Sequence, residues 1–525
     1  MKNIKNRTED RMMIKLLKNA EVYAPACLGK KDVLVAGDKI CRIDDNLSAY
    51  EGLPDVEVFD LAGKKLLPGY IDMHVHICGG GGEQGFSSRV PASKLSIFFQ
   101  NGITSCVGLL GTDGVTRSIE DLIAKARALT EEGMTVYTLT SCYQYPPKTM
   151  TGSIEKDIVM LTPMIGVKVA VSDHRSSNPD GNDLIAIGVQ ARRAGMISGT
   201  AGLVTMHMGS GKGRLNPLFD ALEKSDLPLK HFLPTHMLRC PELIEDGARL
   251  VRMGGYMDCT AGSDETEVVN SAKLLYNLLH MEGVTTENVT MSSDAFGSQP
   301  KFDSKGECIG YTYASPKYLH RTVKLLVEMG MPLEEVIKLL TSTPAKLIAK
   351  EGIKGCIAPG ADADLLVLDE NLDINGLFAK GKTAMKDGES RIQPQDEGHR
   401  TLILPCRLGF PDDGFPLDLG KGKVGNDIAE RRFIGSLIEG IRIPPALERF
   451  GRYFLRDMVD ISVDRARKQP GGLIGSRQQL LRHQGVVCLL GKRQLGVQLL
   501  FQGFRVLLAG AQSLQALLGV FAERD

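Results

Sequence analysis

Apolar side chains recur at every second position in three short runs near the amino terminus, within residues 13–66: IKLLKNAEVYAP, KDVLVAGDKICRID and VEVFDLAGKKLLPG. Gly and Asp turns separate the runs, and this period is typical of half-buried β-strands. A segment of the same kind returns at residues 360–389. The pattern predicts one small β-domain, built from residues 13–67 and 353–390 on both sides of a long insert.

Within the insert, apolar strand-like runs alternate with helical spans such as SIEDLIAKARALTEEG and PLEEVIKLLTSTPAKLIAKEG. Eight strand–helix units over about 285 residues match the size of a (β/α)8 TIM-type barrel, which the pattern predicts for residues 68–352. A doubly wound open sheet is the alternative, because periodicity alone does not separate the two α/β folds. The predicted strands cover residues 69–76, 103–111, 135–143, 165–171, 202–209, 232–238, 254–261 and 288–295.

The composition changes near residue 391. Residues 1–390 contain 29 Lys and 14 Arg, whereas residues 391–525 contain 4 Lys and 16 Arg. The second segment is rich in Gln, and no 3.6-residue or 2-residue period persists across its apolar final stretch, residues 489–521. We therefore treat residues 391–525 as a carboxyl-terminal extension of different origin, with no assigned structure.

The overall composition excludes several classes of protein. Lys plus Arg and Asp plus Glu each number 63, and this balance argues against a basic nucleic-acid-binding protein. No run of 18 uncharged apolar residues occurs, and the polar amino terminus lacks a secretory signal, so no membrane span is expected. The 11 Cys residues form no C-x-x-C pair and are expected to be free thiols. The expectation is a soluble, cytoplasmic, multi-domain protein.

The placement of the ten His residues is the main evidence for chemistry. His74 and His76 lie two apart at the end of a predicted strand, so both rings point to the same face. His207, His236 and Asp294 follow at the carboxyl ends of other predicted strands. In a barrel these ends converge on one mouth, where active sites form. Imidazoles with a carboxylate suit divalent metals such as Zn²⁺.

Lys168 lies inside the apolar run GVKVAV, where an ammonium is costly to bury. One interpretation is a strand-end lysine that extends to solvent. The other is that CO₂ carboxylates the amine, giving a carbamate anion able to bridge two metal ions. The neighbouring histidine strands favour the second interpretation.

The chain thus carries, in this order on successive strands, His74, His76, Lys168, His207, His236 and Asp294. This series resembles the amidohydrolase superfamily with a binuclear metal centre. Within it, the surrounding segments resemble the isoaspartyl dipeptidases, and the resemblance covers residues 13 to about 390. It implies that the small β-domain is a β-sandwich. The segments that carry the resemblance are PGYIDMHVHICGGGGEQGF, LTSCYQYPP, GVKVAVSDHRSS, HMGSGKGRL, PTHMLR and SSDAFGSQP.

The resemblance implies a role for each metal-centre residue. His74, His76 and Asp294 would hold one metal ion, most simply Zn²⁺, His207 and His236 the other, and carboxylated Lys168 would bridge them. A hydroxide between the two metals would attack the side-chain amide of an isoaspartyl residue, because coordination lowers the pKa of bound water. Asp294 would move the proton to the departing amine. Tyr143 would donate to the developing oxyanion.

The resemblance also implies substrate contacts and an assembly. Glu83, just beyond GGGG, would serve catalysis by recognising the α-ammonium of the substrate, and Arg175 and Arg239 would bind its carboxylates. Weaker candidates for holding the aspartyl carboxylate are Ser298, Thr112 and Gly81. The expected partners are small isoaspartyl dipeptides and further copies of the chain in a homo-oligomer such as an octamer.

Two other functions compete with this one. Another amide hydrolase of the superfamily, such as a dihydroorotase, hydantoinase or amino-sugar deacetylase, would use the same metal centre. Glu83 discriminates, because a cyclic amide has no ammonium for it to bind. A catalytically dead scaffold would keep the barrel without the chemistry, and the complete ligand set argues against it.

Overall fold

The computed structural model of the protein describes residues 14–302 and 308–391, so the predicted extension lies outside the described residues except for Arg391. The amino-terminal strands form where apolar positions alternate. In β1 and its neighbour, Leu17, Val22, Val33 and Val35 are buried and face one core. The five strands are β1 (Ile14–Tyr23), β2 (Cys27–Ala36), β3 (Lys39–Asp44), β4 (Val56–Asp60) and β5 (Lys65–Pro68).

Eight strands follow, and they run parallel where they pair. Six of the eight are buried at every position, as expected for strands covered on both faces. The eight are β6 (Tyr70–Val75), β7 (Ile103–Gly108), β8 (Thr135–Thr140), β9 (Met164–Val171), β10 (Leu203–Met208), β11 (Phe232–Thr235), β12 (Met257–Thr260) and β13 (Val289–Ser292).

Helices connect these strands, and local sequence fixes their ends. The longest begins at a capping box in which Asp180 and Asp183 exchange side-chain and backbone hydrogen bonds, and it ends at Gly199 with φ of 67°. Among the described residues, no helix is both long and apolar enough to cross a membrane. The helices are α1 (Leu95–Gln100), α2 (Ile119–Glu131), α3 (Ile154–Met160), α4 (Gly181–Ser198), α5 (Asn216–Lys224), α6 (Pro241–Arg252) and α7 (Glu265–Leu279).

The eight strands close into a barrel. β6 to β11 form one continuous sheet in chain order, and β12 pairs with β13. Hydrogen bonds bridge both remaining gaps: the Met237 amide donates to the Asp258 carbonyl at 3.2 Å, and the His76 amide donates to the Ala295 carbonyl at 2.9 Å. Closure confirms the predicted (β/α)8 fold and excludes the open doubly wound sheet.

After the barrel strands, an antiparallel hairpin and three helices lead back to the amino-terminal strands. Their bounds are β14 (Ser298–Phe302), β15 (Cys308–Tyr313), α8 (Lys317–Glu328), α9 (Leu333–Val336) and α10 (Ser342–Leu347). The last strands are β16 (Leu365–Leu368), β17 (Ile374–Ala379), β18 (Lys382–Lys386) and β19 (Glu389–Ser390).

Strands from both ends of the described chain share one nine-stranded mixed sheet, in the order β19-β18-β17-β16-β5-β1-β2-β3, with β4 also paired to β1. The two halves join where β5 and β16 pair antiparallel, with Leu67 opposite Leu366. Both of these leucines are fully buried. The small domain is therefore assembled from strands that come before and after the barrel in sequence.

Two of the chemistry-bearing residues, His236 and Asp294, fall inside the predicted strand runs but lie just beyond the ends of the observed strands. β11 ends at Thr235 and β13 at Ser292, so His236 and Asp294 are in the loops that follow. Both have a positive φ, 66° at His236 and 51° at Asp294. This conformation is costly for residues other than Gly and is typical of functional sites. It turns the backbone away from the barrel and leaves each side chain at the mouth.

Candidate metal centre and its cavity

Two histidines and one carboxylate form a compact buried cluster at the mouth of the barrel. His76 Nε2 lies 3.0 Å and His74 Nε2 lies 3.5 Å from Asp294 Oδ1. One potential ligand atom from each of the three residues lies within 4.8 Å of the others. Burial lowers the pKa of both His74 and His76, which favours the neutral imidazoles that metal ions require.

Lys168 lies on β9 directly beside this cluster and is completely buried. Its Nζ is 3.2 Å from His74 Nε2. The interpretation that this side chain extends to solvent is therefore wrong. Burial lowers the pKa of Lys168 to about 7, against the opposing attraction of Asp294. A substantial fraction of the amine is thus uncharged near neutral pH, which is the form that can react with CO₂.

His236 and His207 extend the cluster on its other side. The His236 ring centre lies 4.9 Å from that of His74 and 4.6 Å from that of His207. Thr260 Oγ1 is 2.7 Å from His236 Nδ1, which fixes the ring and leaves Nε2 for another ligand. Among the described residues, His236 Nε2 has no hydrogen-bond partner although it is buried, and the same is true of Nδ1 in His74 and His76.

His207 is surrounded by three side chains that hold it at the edge of the cavity. The Tyr143 hydroxyl is 2.7 Å from its Nδ1, while Asp173 Oδ2 and Arg239 Nη1 are 3.2 and 3.3 Å from its Nε2. Burial, followed by the charge of Arg239, lowers the pKa of His207 well below its usual value. The ring is therefore neutral and able to act as a ligand.

Asp173, which the sequence pattern did not identify, links His207 to the substrate-binding candidate Arg175. Arg175 donates to both carboxylate oxygens of Asp173, from Nε at 3.0 Å and Nη2 at 3.1 Å. Burial opposes ionisation of Asp173, but the hydrogen bonds from His207 and Arg175 hold its pKa well below its usual value. Asp173 is thus an anion that orients Arg175 across the cavity mouth.

The remaining substrate-binding candidates meet around Arg175. Its Nη1 lies 3.6 Å from Glu83 Oε1 and donates to Thr112 Oγ1 at 3.4 Å. Ser298 donates to the Glu83 carboxylate at 3.0 Å. Gly81 lines the same cavity, two residues before Glu83. All the predicted substrate contacts therefore lie within one cluster, next to the histidines.

A cavity of about 520 Å³ connects the metal cluster to these residues. Its wall includes His76, Tyr143, His207, Asp294, Arg175 and Arg239. A second cavity of about 350 Å³ lies beside it, with His236, Arg239 and Glu267 in its wall. The first volume is within the usual range for small-molecule sites, roughly 300–1,000 Å³.

Sequence reasoning missed three residues of this region. Asp173 lies two residues after the end of the predicted strand that holds Lys168, so the strand-end rule that identified Asp294 could have found it. Thr260 ends β12, and Arg117 precedes α2. No pattern in the sequence marks Thr260 or Arg117, because their importance comes from contacts with residues far along the chain.

Comparison with known proteins identifies the family. Residues 66–389 match the Amidohydrolase family. The chain belongs to this family. It is a hydrolase, and the resemblance stated from the sequence is confirmed.

Two solved relatives are informative. The β-aspartyl dipeptidase of Fervidobacterium islandicum AW-1, solved with the dipeptide β-Asp-Leu, is 42% identical, covers 72% of this chain and 99% of its own, and has a TM-score of 0.66. The dihydropyrimidinase of Brevibacillus agri is 17% identical over 73% of this chain and 97% of its own, with a TM-score of 0.52. At that identity the second shows a shared fold alone.

A curated relative matches only a short segment. The dihydroorotase of Listeria monocytogenes is 42% identical over 69 residues, which are 13% of this chain and 15% of that enzyme. The match spans only about a seventh of the length of this relative, so the dihydroorotase activity is not assigned to this chain.

Proposed function

We propose that the protein hydrolyses the β-aspartyl (isoaspartyl) amide bond of dipeptides with the help of two divalent cations. The observation that carries the proposal is the cluster of Glu83, Ser298 and Arg175 beside the buried histidines. It offers an acceptor for an ammonium and a donor for a carboxylate in one cavity. The β-aspartyl dipeptidase of F. islandicum, similar over nearly its full length, supports the same substrate class.

The residues present fit a binuclear metal site. His74, His76 and Asp294 would hold one cation and His207 and His236 the other, with a carboxylated Lys168 between them. The buried, unpartnered nitrogen of His236 and the neutral imidazoles are the donor set that Zn²⁺ prefers. When bound, the cations supply Lewis acidity and lower the pKa of a water molecule toward neutrality.

Asp294 is placed to move a proton. Burial disfavours its charged form, but the hydrogen bond from His76 lowers its pKa, so the carboxylate is ionised before the reaction. It can accept a proton at the metal cluster and deliver it to the leaving amine. Its buried position keeps that proton from bulk water.

Tyr143 is placed to polarise the amide carbonyl. Burial raises the pKa of its phenol, so the hydroxyl remains a hydrogen-bond donor throughout the neutral range. The same hydroxyl lies next to His207, at the boundary between the histidines and the cavity. A donor in this low-dielectric position stabilises the charge that develops on the carbonyl oxygen.

The substrate would be held at three points. Glu83 would bind its α-ammonium, Arg175 and Arg239 its carboxylates, and Ser298, Thr112 and Gly81 would line the aspartyl end. Charge-assisted hydrogen bonds of this kind are about twice as strong as neutral ones. The arrangement predicts that a substrate without the ammonium binds more weakly.

The test is a parallel assay of β-Asp-Leu, dihydroorotate and hydantoin on purified protein, with its metal content. Hydrolysis of β-Asp-Leu with about two zinc per chain supports the proposal. Turnover of a cyclic amide instead would favour a function of the dihydroorotase or hydantoinase type. Absence of metal and of turnover would favour a scaffold. Sedimentation of the same sample tests the expected homo-oligomer.

A further inference from the structure

A buried guanidinium lies directly beneath the glycine-rich loop after β6. Arg117 is 6% exposed, and its Nη2 donates to the carbonyl oxygens of Gly80 at 2.8 Å and Val90 at 2.9 Å. Its Nη1 donates to the carbonyl of Cys78. One side chain from the segment before α2 thus ties together the start and the end of the loop at 78–90.

The loop backbone allows little alternative to this arrangement. Gly79 and Gly81 both have φ of 76°. A Cβ at Gly79 would lie 2.1 Å from the Val90 carbonyl oxygen, and a Cβ at Gly81 would lie 2.4 Å from the Ser88 carbonyl oxygen. On the far side, the Gly80 amide donates to the Phe296 carbonyl at 2.8 Å. The chain therefore folds tightly back on itself over the guanidinium.

The charge of Arg117 has no structural ion pair to explain it. No carboxylate within residues 14–302 and 308–391 forms an ion pair with this guanidinium. Among the described residues, the guanidinium donates only to backbone carbonyls. Burying a charge without an opposite charge beside it costs free energy. A planar guanidinium donates in several fixed directions, whereas a lysine donates from a single nitrogen. The site therefore requires arginine rather than any cation.

We propose that Arg117 is a positioning residue that fixes the glycine-rich loop so that Glu83 reaches Ser298 and Arg175. Glu83 follows Gly81 by two residues, and its carboxylate accepts from Ser298 at 3.0 Å. Arg117 itself does not line the cavity and touches no candidate metal ligand. Through the loop, it sets the affinity for the substrate ammonium; this part rests on the proposed function.

Hydrogen exchange tests the positioning directly, without any activity. Arg117→Lys and Arg117→Ala are compared with the parent and with a control variant, Arg192→Met. The control removes an arginine of helix α4 that is hydrogen-bonded to His231. We expect faster amide exchange in residues 78–90 of both Arg117 variants, while β9 and β10 keep parent rates. Unchanged exchange in this loop would overturn the proposal, whatever the substrate of the enzyme.

Inhibition of β-Asp-Leu hydrolysis tests the consequence for recognition. The probes are L-aspartate and succinate, which differ only in the ammonium group. In Arg117→Lys we expect aspartate to lose between about 10-fold and 100-fold in affinity, while succinate loses much less and kcat and metal content change little. Glu83→Gln is expected to compress the same aspartate-to-succinate ratio.

Chemical rescue distinguishes the loss of the positive charge of Arg117 from the loss of its side-chain volume. Millimolar guanidinium should restore part of the aspartate affinity of Arg117→Ala, whereas urea, of similar shape but neutral, should not. Equal weakening of both inhibitors, with no rescue, would make Arg117 a residue of general stability and overturn the proposal. If the parent enzyme fails to hydrolyse β-Asp-Leu, the proposed function fails, and the exchange experiment still decides the role of Arg117.

Discussion

The carboxylate of Asp72 accepts hydrogen bonds from both the hydroxyl and the backbone amide of Ser293, the latter at 3.1 Å. Asp72 lies on β6, the first barrel strand, and Ser293 directly follows β13, the last. The metal-ligand candidate His74 lies two residues after Asp72, and the candidate Asp294 directly follows Ser293. These two hydrogen bonds, between the first barrel strand and the residue after the last, therefore also hold together two parts of the candidate metal site.

Asp294→Asn is expected to keep metal and to bind L-aspartate normally while losing most turnover. The amide fills the same space but cannot accept and deliver a proton, and such steps contribute about 10²–10⁴-fold. Steady-state kinetics, with metal analysis of each preparation, measures the effect. Asp45→Asn, on the surface of the small domain, is the control. Turnover close to that of the parent would remove Asp294 from proton transfer.

Lys168→Ala is expected to lose one or both metal ions, because two adjacent cations would lack the anion between them. A short carboxylic acid such as acetate should restore part of the metal content and activity by replacing the carbamate. Metal analysis across an acetate titration gives the answer. A variant that binds two metals normally without acetate would show that Lys168 is not the bridge.

Glu83→Gln is expected to weaken binding of free β-aspartyl dipeptides much more than that of their N-acetylated analogues. The glutamine loses a charge-assisted hydrogen bond to the ammonium, worth about 1.5–3 kcal/mol, and the acetylated analogue never makes it. Inhibition constants for matched pairs of ligands provide the comparison. Equal losses within each pair would assign Glu83 a structural or chemical role instead.

Asp258 predicts a pH dependence of stability. This fully buried carboxylate accepts from Thr235, Thr290 and Ser292, yet burial raises its pKa to about 6 from 3.8. Because the folded-state pKa exceeds the unfolded value, the contribution of Asp258 to stability is complete below about pH 4 and lost as pH rises through about 6. The loss is on the order of 3 kcal/mol.

Asp258→Asn replaces the carboxylate with an amide that does not titrate, so the loss of stability between about pH 4 and pH 6 should disappear in this variant. Thermal unfolding of chelator-treated protein between about pH 4 and pH 7 should show a smaller fall, or a larger rise, in Tm for Asp258→Asn than for the parent. Parallel Tm profiles for the two proteins would contradict the expectation.

Truncation after Ser390 is expected to leave folding, metal content and catalysis intact. Every candidate site residue lies at or before Ser298, and β19 ends the nine-stranded sheet at Ser390. The shortened protein should be at least as soluble and hydrolyse β-Asp-Leu at the parent rate. Failure to fold, or a loss of turnover, would show that residues 391–525 contribute to the enzyme.

The barrel and the candidate metal cluster were accessible from sequence because both follow from periodicity. Strands β6 to β13 lie within or next to the predicted runs, and parallel strands in a barrel bring their carboxyl ends together. The spacing of His74 and His76 then placed both rings on one face. The predicted strand ends were less accurate than the strand positions. The left-handed backbone at His236 and Asp294 depends on tertiary contacts rather than on local preference.

The supporting residues could not be predicted in the same way. Thr260 matters because it orients His236. Arg117 matters because it donates hydrogen bonds to the backbone carbonyls of Cys78, Gly80 and Val90. Such relations join distant positions without any local spacing. A buried charge next to backbone carbonyls becomes visible only when the fold is known.

The pairing of β5 with β16 has a consequence for biosynthesis. Leu67 and its partner Leu366 are about 300 residues apart in the chain. At about 5–20 residues per second, a ribosome needs roughly 15–60 s to make the intervening barrel. During that interval the nascent chain exposes the apolar edge of β5 with no strand to cover it. The amino-terminal strands therefore depend on protection, such as a chaperone provides, until synthesis of β16 supplies their neighbour.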